Sequence, residues 1–116
     1  MAGLYIHFPF CKKKCAYCDF YSVEYEDSRV SSFVDSLCWE IDFQSSFYDT
    51  LELTVDTIYL GGGTPSLLKA DQIKRLLGRI GRSFLLSGES EITVEINPGT
   101  VSRETLRAYR EAGMNR

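Results

Sequence analysis

The sequence predicts an α/β protein in which three strand–helix units form an open, parallel sheet. Three short apolar runs have strand character, at residues 4–8, 57–60 and 92–96. Each run is followed by a turn that contains glycine or proline, and then by apolar residues at helical spacing. Strands that alternate with helices favour right-handed βαβ units and parallel strands. Because a closed barrel takes about 250 residues, three units predict a partial, TIM-like barrel.

The helices are predicted from apolar stripes and from residues that start or end a helix. The stripes consist of Val30, Phe33, Val34, Leu37, Cys38 and Ile41 in the first helix and Ile73, Leu76, Leu77 and Ile80 in the second. The first helix is expected to begin near Ser28, and Gly81 is expected to end the second. In the third, Ser102 is a typical N-cap and Gly113 follows the last turn. Residues 45–52 are expected to form the loop between the first helix and the second strand.

Composition and charge favour an ordinary globular domain and exclude several protein classes. The chain has 116 residues, of which 44% are hydrophobic and 25% are charged, which argues against disorder or low complexity. Its 13 basic and 16 acidic residues give a net charge of −3, so no basic excess indicates nucleic-acid binding. The first residues lack a signal-peptide pattern, and no apolar run approaches the roughly 20 residues of a membrane helix. We therefore expect a cytoplasmic protein without a membrane span.

The chain stops where a further strand is expected. Arg116 comes directly after the third predicted helix, and three strands in an open sheet would leave unpaired edges. No internal domain boundary is visible in the sequence. Residues 1–116 are therefore expected to be the N-terminal part of a larger core domain, without the remaining barrel and a C-terminal domain.

The predicted strands have one apolar face and one more polar face. Side chains alternate across a strand, and the apolar residues occupy the even-numbered positions of all three runs. The other face carries Tyr5, His7, Thr93, Glu95 and Asn97. The interior of a standard barrel is filled with Val, Ile and Leu. A polar inner face therefore predicts a sheet that curves around a ligand.

Three of the four cysteines lie close together, directly after the first strand. Cys11, Cys15 and Cys18 have C-x3-C-x2-C spacing, and thiolates suit an iron–sulfur cluster or zinc. On a four-iron cluster, three protein ligands leave one iron available to a substrate or cofactor. The alternative is a structural zinc site with His7 as the fourth ligand. Cys38 lies on the apolar stripe of the first helix and is expected to be buried.

Two further motifs lie at the ends of the second and third strands. The turn at residues 61–65 contains three glycines, which would allow a ligand to approach the backbone closely. No Walker lysine follows it, and a tight strand-to-helix turn would explain the glycines equally well. Glu95 lies on the polar face, where an inward-pointing carboxylate needs a partner. A ribose diol and a structural salt bridge are the two alternatives.

Together these segments resemble the radical S-adenosylmethionine superfamily, and within it the branch that contains the oxygen-independent coproporphyrinogen oxidases. The matching segments lie at residues 5–11, 11–18, 58–66 and 94–98, in the family's order and along nearly the whole chain. The resemblance implies a 4Fe–4S cluster held by Cys11, Cys15 and Cys18, with S-adenosylmethionine on the fourth iron.

The resemblance also implies how S-adenosylmethionine is bound and used. Its binding residues would be Tyr5, the backbone near Tyr17, Gly62, Gly63, Thr64 and Glu95. Glu95 would contact the ribose, and the glycine turn would line the methionine end. In radical enzymes of the family, the reduced cluster cleaves S-adenosylmethionine, and the resulting radical abstracts hydrogen from the substrate inside a barrel that excludes water.

Phe20 separates two kinds of protein within this branch. The oxidases have a further cysteine at this position, whereas the segment at residues 18–22 resembles the heme chaperones. That resemblance implies heme or porphyrin as cargo, heme-requiring client proteins, and a reductant such as flavodoxin or ferredoxin. The alternatives are an oxidase that decarboxylates coproporphyrinogen in porphyrin biosynthesis and a zinc-stabilised binding module. His7 is expected to make a structural hydrogen bond rather than to ligate heme.

Overall fold

The computed structural model describes residues 2–12, 23–48 and 53–116. In chain order the elements are β1 (Ala2–Phe8), β2 (Phe10–Cys11), β3 (Val23–Glu24), α1 (Asp27–Tyr48), β4 (Thr54–Gly62), α2 (Ala70–Ser83), β5 (Leu85–Val94) and α3 (Arg103–Ala112). Two short 3-10 turns, Pro65–Leu67 and Pro98–Thr100, follow β4 and β5. Among the described residues, no helix has the length and apolarity that a membrane crossing requires.

The main sheet has three parallel strands, with β4 between β1 and β5. Its register places Tyr5 of β1 beside Tyr59 of β4, and Tyr59 beside Thr93 of β5. Strands β2 and β3 form a separate two-stranded parallel pair that the sequence did not predict. The predicted α/β class, with parallel strands in an open sheet, is confirmed.

Two strands are longer than their apolar runs. Strand β4 begins at Thr54, and β5 begins at Leu85, well before the predicted start at residue 92. Residues 87–91 are polar or glycine, so the apolar alternation that predicts a strand is missing there, although the backbone is extended. Strand β5 ends at Val94, which leaves Glu95 directly beyond the strand, with its N–H donating to the Leu60 carbonyl oxygen.

Two predicted helix boundaries are wrong. Helix α1 continues to Tyr48 through the first part of the expected loop at residues 45–52, of which residues 49–52 lie outside the described part. Trp39 stacks on Phe43, and Phe43 packs against Phe47, so aromatic pairs at helical spacing extend the helix. Gly81 does not end α2, which runs to Ser83, because the buried Ile80 holds this turn in the core.

The hydrophobic core lies between one face of the sheet and helices α1 and α2. The sheet contributes Ile6, Phe8, Val55, Ile58, Leu60 and Val94, and the helices contribute Val30, Val34, Cys38, Ile41, Ile73, Leu76 and Ile80. Cys38 is only 2% exposed, which confirms its predicted place in the core. Ser102 caps α3 by accepting from the Thr105 N–H, and Gly113 follows the last turn at a φ of 126°, so both predicted ends of α3 are confirmed.

Tyr109 ties α3 to the turn that follows β4. Its ring is buried, and its hydroxyl donates to the carbonyl oxygens of Ser66 and Leu68. We expect Tyr109→Phe to lower the free energy of unfolding by about 1–3 kcal/mol, because the two carbonyls lose a buried donor. Urea unfolding at neutral pH measures this loss, and Tyr48→Phe on the exposed end of α1 is the matched control. Equal midpoints for the two variants would contradict the expectation.

Burial raises the pKa of Tyr109 to about 12. The folded protein therefore holds this proton more tightly than the unfolded chain, in which tyrosine titrates near pH 10. The resulting stabilisation is fully present below about pH 10 and is lost as the pH rises toward 12. Urea midpoints measured from pH 9 upward should consequently fall more steeply for the native protein than for Tyr109→Phe.

Candidate functional site

The predicted site residues that the structure describes gather at one edge of the sheet. Strands β1, β4 and β5 all run in the same direction, so their carboxyl ends lie side by side. Strand β1 leads through Pro9 into Cys11, β4 leads into the glycine turn, and β5 leads into Glu95. In parallel α/β sheets, ligands bind at this edge. The structure therefore brings together three segments that are distant in sequence.

Gly62 and Gly63 pack directly on the end of β1. Gly62 has a φ of 111°, and a Cβ there would lie 2.7 Å from the Phe8 carbonyl oxygen and 2.9 Å from the His7 ring. A Cβ on Gly63 would lie 2.9 Å from Cys11 Sγ. The Gly63 N–H also donates to the Phe8 carbonyl oxygen at 2.6 Å. The space that these glycines leave is thus filled by the chain itself, which supports the tight-turn interpretation.

Thr64 connects the glycine turn to the first cysteine. Its N–H donates to the Phe10 carbonyl oxygen at 2.9 Å, and its hydroxyl donates to Cys11 Sγ at 3.5 Å. Thr64 is buried, whereas Cys11 is half-buried. A hydroxyl donor stabilises a thiolate more than a thiol, because the thiolate is the stronger acceptor. The contact therefore suits a cysteine that serves as a metal ligand.

Three side chains share the space above Gly61, and we call them the tyrosine–glutamate cluster: Tyr5, Tyr59 and Glu95. The Tyr59 hydroxyl donates to Glu95 Oε1 at 2.6 Å. The rings of Tyr5 and Tyr59 are stacked, with centroids 5.9 Å apart and an interplanar angle of 27°. This hydrogen bond is the largest of the effects that raise the pKa of Tyr59, because it favours the protonated phenol.

The tyrosine–glutamate cluster is exposed to solvent on the polar face of the sheet. Tyr5 is 60% exposed and Tyr59 is 38% exposed, and Glu95 is exposed as well. The predicted division of the strands into an apolar and a polar face is therefore confirmed as far as Val94, but it is wrong at Ile96, which lies beyond the end of β5 and is 40% exposed. A ligand enclosed by the sheet remains a prediction.

His7 forms the hydrogen bond that the sequence favoured. Its Nδ1 lies 3.1 Å from the Tyr5 hydroxyl oxygen, and the centroids of the two rings are 6.0 Å apart. His7 is also the closest side-chain neighbour of a Cβ built on Gly62. The imidazole thus fills the turn between the end of β1 and the glycines.

Several predicted site residues lie outside the described part of the chain: Cys15, Tyr17, Cys18 and Phe20. Of the expected cluster ligands, the structure describes Cys11. Among residues 2–12, 23–48 and 53–116, no three His, Cys, Asp or Glu side chains converge to hold a metal ion. The metal-site prediction therefore rests on Cys11 together with the two cysteines that are not described.

Tyr59 is the site residue that sequence reasoning missed. It occupies an odd-numbered position of the run at residues 57–60, which belongs to the polar face, but the sequence pattern assigns it no role of its own. In the structure Tyr59 belongs to the central strand, where it lies between Tyr5 on one side and the residues leading to Glu95 on the other. Only the strand order makes that position meaningful.

Comparison with known proteins agrees with this arrangement. The family model described as the radical SAM superfamily matches residues 5–116, which include the glycine turn, Glu95 and all three clustered cysteines. The chain belongs to the radical SAM superfamily.

Curated radical SAM relatives include proteins named heme chaperone HemW. The chain is 40% identical to HemW of Buchnera aphidicola subsp. Schizaphis graminum over 115 residues and to HemW of Escherichia coli over 120 residues. Each match covers 98% of this chain and 30% of the relative. The chain thus spans less than a third of the length of these radical SAM proteins.

A solved structure of a radical SAM enzyme, coproporphyrinogen III oxidase (HemN) from Escherichia coli, is also similar. It superposes with a TM-score of 0.89 over 97% of this chain and 26% of the oxidase, at 29% identity. The similarity confirms the expected TIM-like radical SAM fold, with β1, β4 and β5 as its parallel strands. Together with the relatives, it confirms the resemblance to the coproporphyrinogen-oxidase-like branch.

Proposed function

We propose that this chain carries the cofactor-binding part of a radical SAM heme chaperone. The observation that carries the proposal is the contact of Thr64 and Gly63 with Cys11 at the edge of the sheet where Glu95 also lies. That edge combines a sulfur ligand with an exposed carboxylate that Tyr59 holds through one oxygen, and one cluster-bound ligand would contact both. The relatives named as heme chaperones, at 40% identity, support the chaperone over the oxidase.

The donor set fits an iron–sulfur cluster. A thiolate is the ligand that such clusters use, and hydrogen bonds to the sulfur adjust their reduction potential. Cys11 supplies the sulfur and Thr64 supplies a hydroxyl 3.5 Å from it. Cys15 and Cys18 would complete the ligand set and leave one iron for S-adenosylmethionine. When bound, the cluster supplies one-electron chemistry.

The remaining residues would bind and orient S-adenosylmethionine. Gly62, Gly63 and Thr64 hold the turn against the end of β1 and would line the methionine end. Glu95 would accept hydrogen bonds from the ribose hydroxyls, and Tyr5 and the backbone near Tyr17 would complete the pocket. A carboxylate is a good acceptor for a neutral diol, because hydrogen bonds to an ionised acceptor are strong.

The proposed partners follow from the chaperone role. Heme or porphyrin would be the cargo, heme-requiring proteins would be the clients, and a flavodoxin or ferredoxin would reduce the cluster. These exchanges are expected in the cytoplasm, without a membrane span.

One experiment separates the chaperone from its alternatives. A full-length protein that carries this segment is reconstituted anaerobically with iron and sulfide, titrated with heme, and incubated with coproporphyrinogen, S-adenosylmethionine and a reductant. We expect a visible absorption band that dithionite bleaches, together with heme binding and no protoporphyrinogen. The absence of protoporphyrinogen is expected because Phe20 stands where the oxidases have a cysteine. Phenylalanine packs or stacks but neither ligates a metal nor donates a proton.

Each alternative has its own signature in this experiment. Repeated turnover to protoporphyrinogen would contradict the chaperone and favour the oxidase, which the structural similarity to HemN supports. A colourless protein that binds zinc and no iron–sulfur cluster would favour the binding module instead.

A further inference from the structure

The hydrogen bond between Tyr59 and Glu95 links β4 to the residue that follows β5, at the edge of the sheet where the parallel strands end. We propose that Tyr59 is a positioning residue, which holds the Glu95 carboxylate ready for the ribose of S-adenosylmethionine. The inference rests on the proposed function and adds a residue to it. Tyr59 itself is not expected to touch the cofactor.

Geometry supports the restraint of Glu95. Its backbone is held by the N–H bond to the Leu60 carbonyl oxygen, but its exposed side chain extends from the end of β5 and has three rotatable bonds. The Tyr59 hydroxyl, 2.6 Å from Oε1, removes much of that freedom before any ligand arrives. A group that is ordered in advance loses less entropy when it binds.

The Tyr59 ring is itself packed against Tyr5 and lies over Gly61. Tyr5 stacks on it from β1, at a centroid distance of 5.9 Å. A Cβ on Gly61 would lie 2.7 Å from Tyr59 Cε1, 3.1 Å from Tyr5 Cε2 and 3.2 Å from Glu95 Oε1. The first glycine of the turn therefore makes room for the tyrosine–glutamate cluster, whereas the next two accommodate β1 and Cys11.

The protonation states also suit this role. The hydrogen bond to Glu95 raises the pKa of Tyr59, so the phenol keeps the proton that it donates to Glu95 Oε1. Only Oε1 is engaged by Tyr59, and the described part of the chain offers no donor to Oε2. One carboxylate oxygen is thus held in place while the other is available to a diol.

Equilibrium binding to the cluster-reconstituted protein tests the proposal. The probes are S-adenosylmethionine and an analogue that lacks both ribose hydroxyls. We expect Tyr59→Phe to weaken binding of S-adenosylmethionine about three- to tenfold, the usual gain from ordering one side chain. Binding of the analogue should stay unchanged. Tyr48→Phe makes the same chemical change at the C-terminal end of α1, outside the tyrosine–glutamate cluster, and should alter neither affinity.

Glu95→Ala, which removes the carboxylate that Tyr59 contacts, provides the second variant. It should weaken binding of S-adenosylmethionine more than Tyr59→Phe does, and adding Tyr59→Phe to it should cause little further loss, because both changes act through one contact. Equal losses for both ligands in Tyr59→Phe would indicate a merely structural role and overturn the proposal, as would no loss at all. If the unaltered protein does not bind S-adenosylmethionine, the proposed function itself fails.

Discussion

Replacing Cys11 by alanine is expected to abolish the visible absorption of the reconstituted iron–sulfur protein. Three cysteines would hold the cluster, so no protein ligand is spare, and the same loss is expected for Cys15→Ala and Cys18→Ala. At Cys11 the substitution also removes the acceptor of the Thr64 hydroxyl bond. We expect complete loss of the cluster, which is the largest effect among the substitutions considered.

Cys38→Ala is the matched control for the cysteine series. This thiol is buried in the core on α1, so its removal leaves a small cavity at a cost of about 1 kcal/mol. The variant should retain the cluster, as judged by iron and sulfide content and by the band that dithionite bleaches. Loss of the cluster in Cys38→Ala with an unchanged circular dichroism spectrum would contradict the ligand assignment, as would retention in Cys11→Ala.

Gly62→Ala is expected to cause the largest loss of stability among the glycine substitutions. The backbone at Gly62 has a φ of 111°, a conformation that costs other residues about 1–3 kcal/mol. The added Cβ would also lie 2.7 Å from the Phe8 carbonyl oxygen, which the core holds in place. The free energy of unfolding should therefore fall by at least about 2 kcal/mol, a large part of the stability of a small domain.

Gly78→Ala makes the same chemical change at a permissive position. Gly78 is exposed on α2, and a Cβ there would have ordinary contact, 3.7 Å from Arg82 Nη1. Alanine should raise the free energy of unfolding by about 0.5–1 kcal/mol, because it favours the helix. Urea unfolding of both variants measures the difference. A Gly62→Ala protein as stable as Gly78→Ala would show that the turn relaxes without cost.

Local patterns in the sequence determined the class of the fold. The helical stripe of α1 includes Cys38, and the alternation at Ile6 and Phe8 identifies the buried face of β1; both are in the core of the structure. Ser102 and Gly113 marked the ends of α3 correctly, since caps depend on neighbouring backbone groups alone. The C-x3-C-x2-C spacing and the glycine turn were also visible, because each lies within a few residues.

Patterns that depend on distant partners were less accurate. Residues 87–91 of β5 have no apolar alternation, yet the strand continues through them because it pairs with β4 on both sides, at Leu85 and Leu86 and again from Glu91. Gly81 has low helix propensity, but packing of the buried Ile80 carries α2 past it. In both cases a tertiary contact outweighs a local preference of about 1 kcal/mol or less per residue.

Only the tertiary structure decided what each part of the glycine turn contacts. Gly61 faces the tyrosine–glutamate cluster, Gly62 faces the end of β1, and Gly63 and Thr64 face Cys11. Tyr59 and Glu95 are 36 residues apart and meet because β4 and β5 are neighbours in register. Strand order and register are set by packing of the whole sheet against its helices. Side chains that meet across strands therefore follow from the folded sheet, whereas the residue types available to meet are written in the sequence.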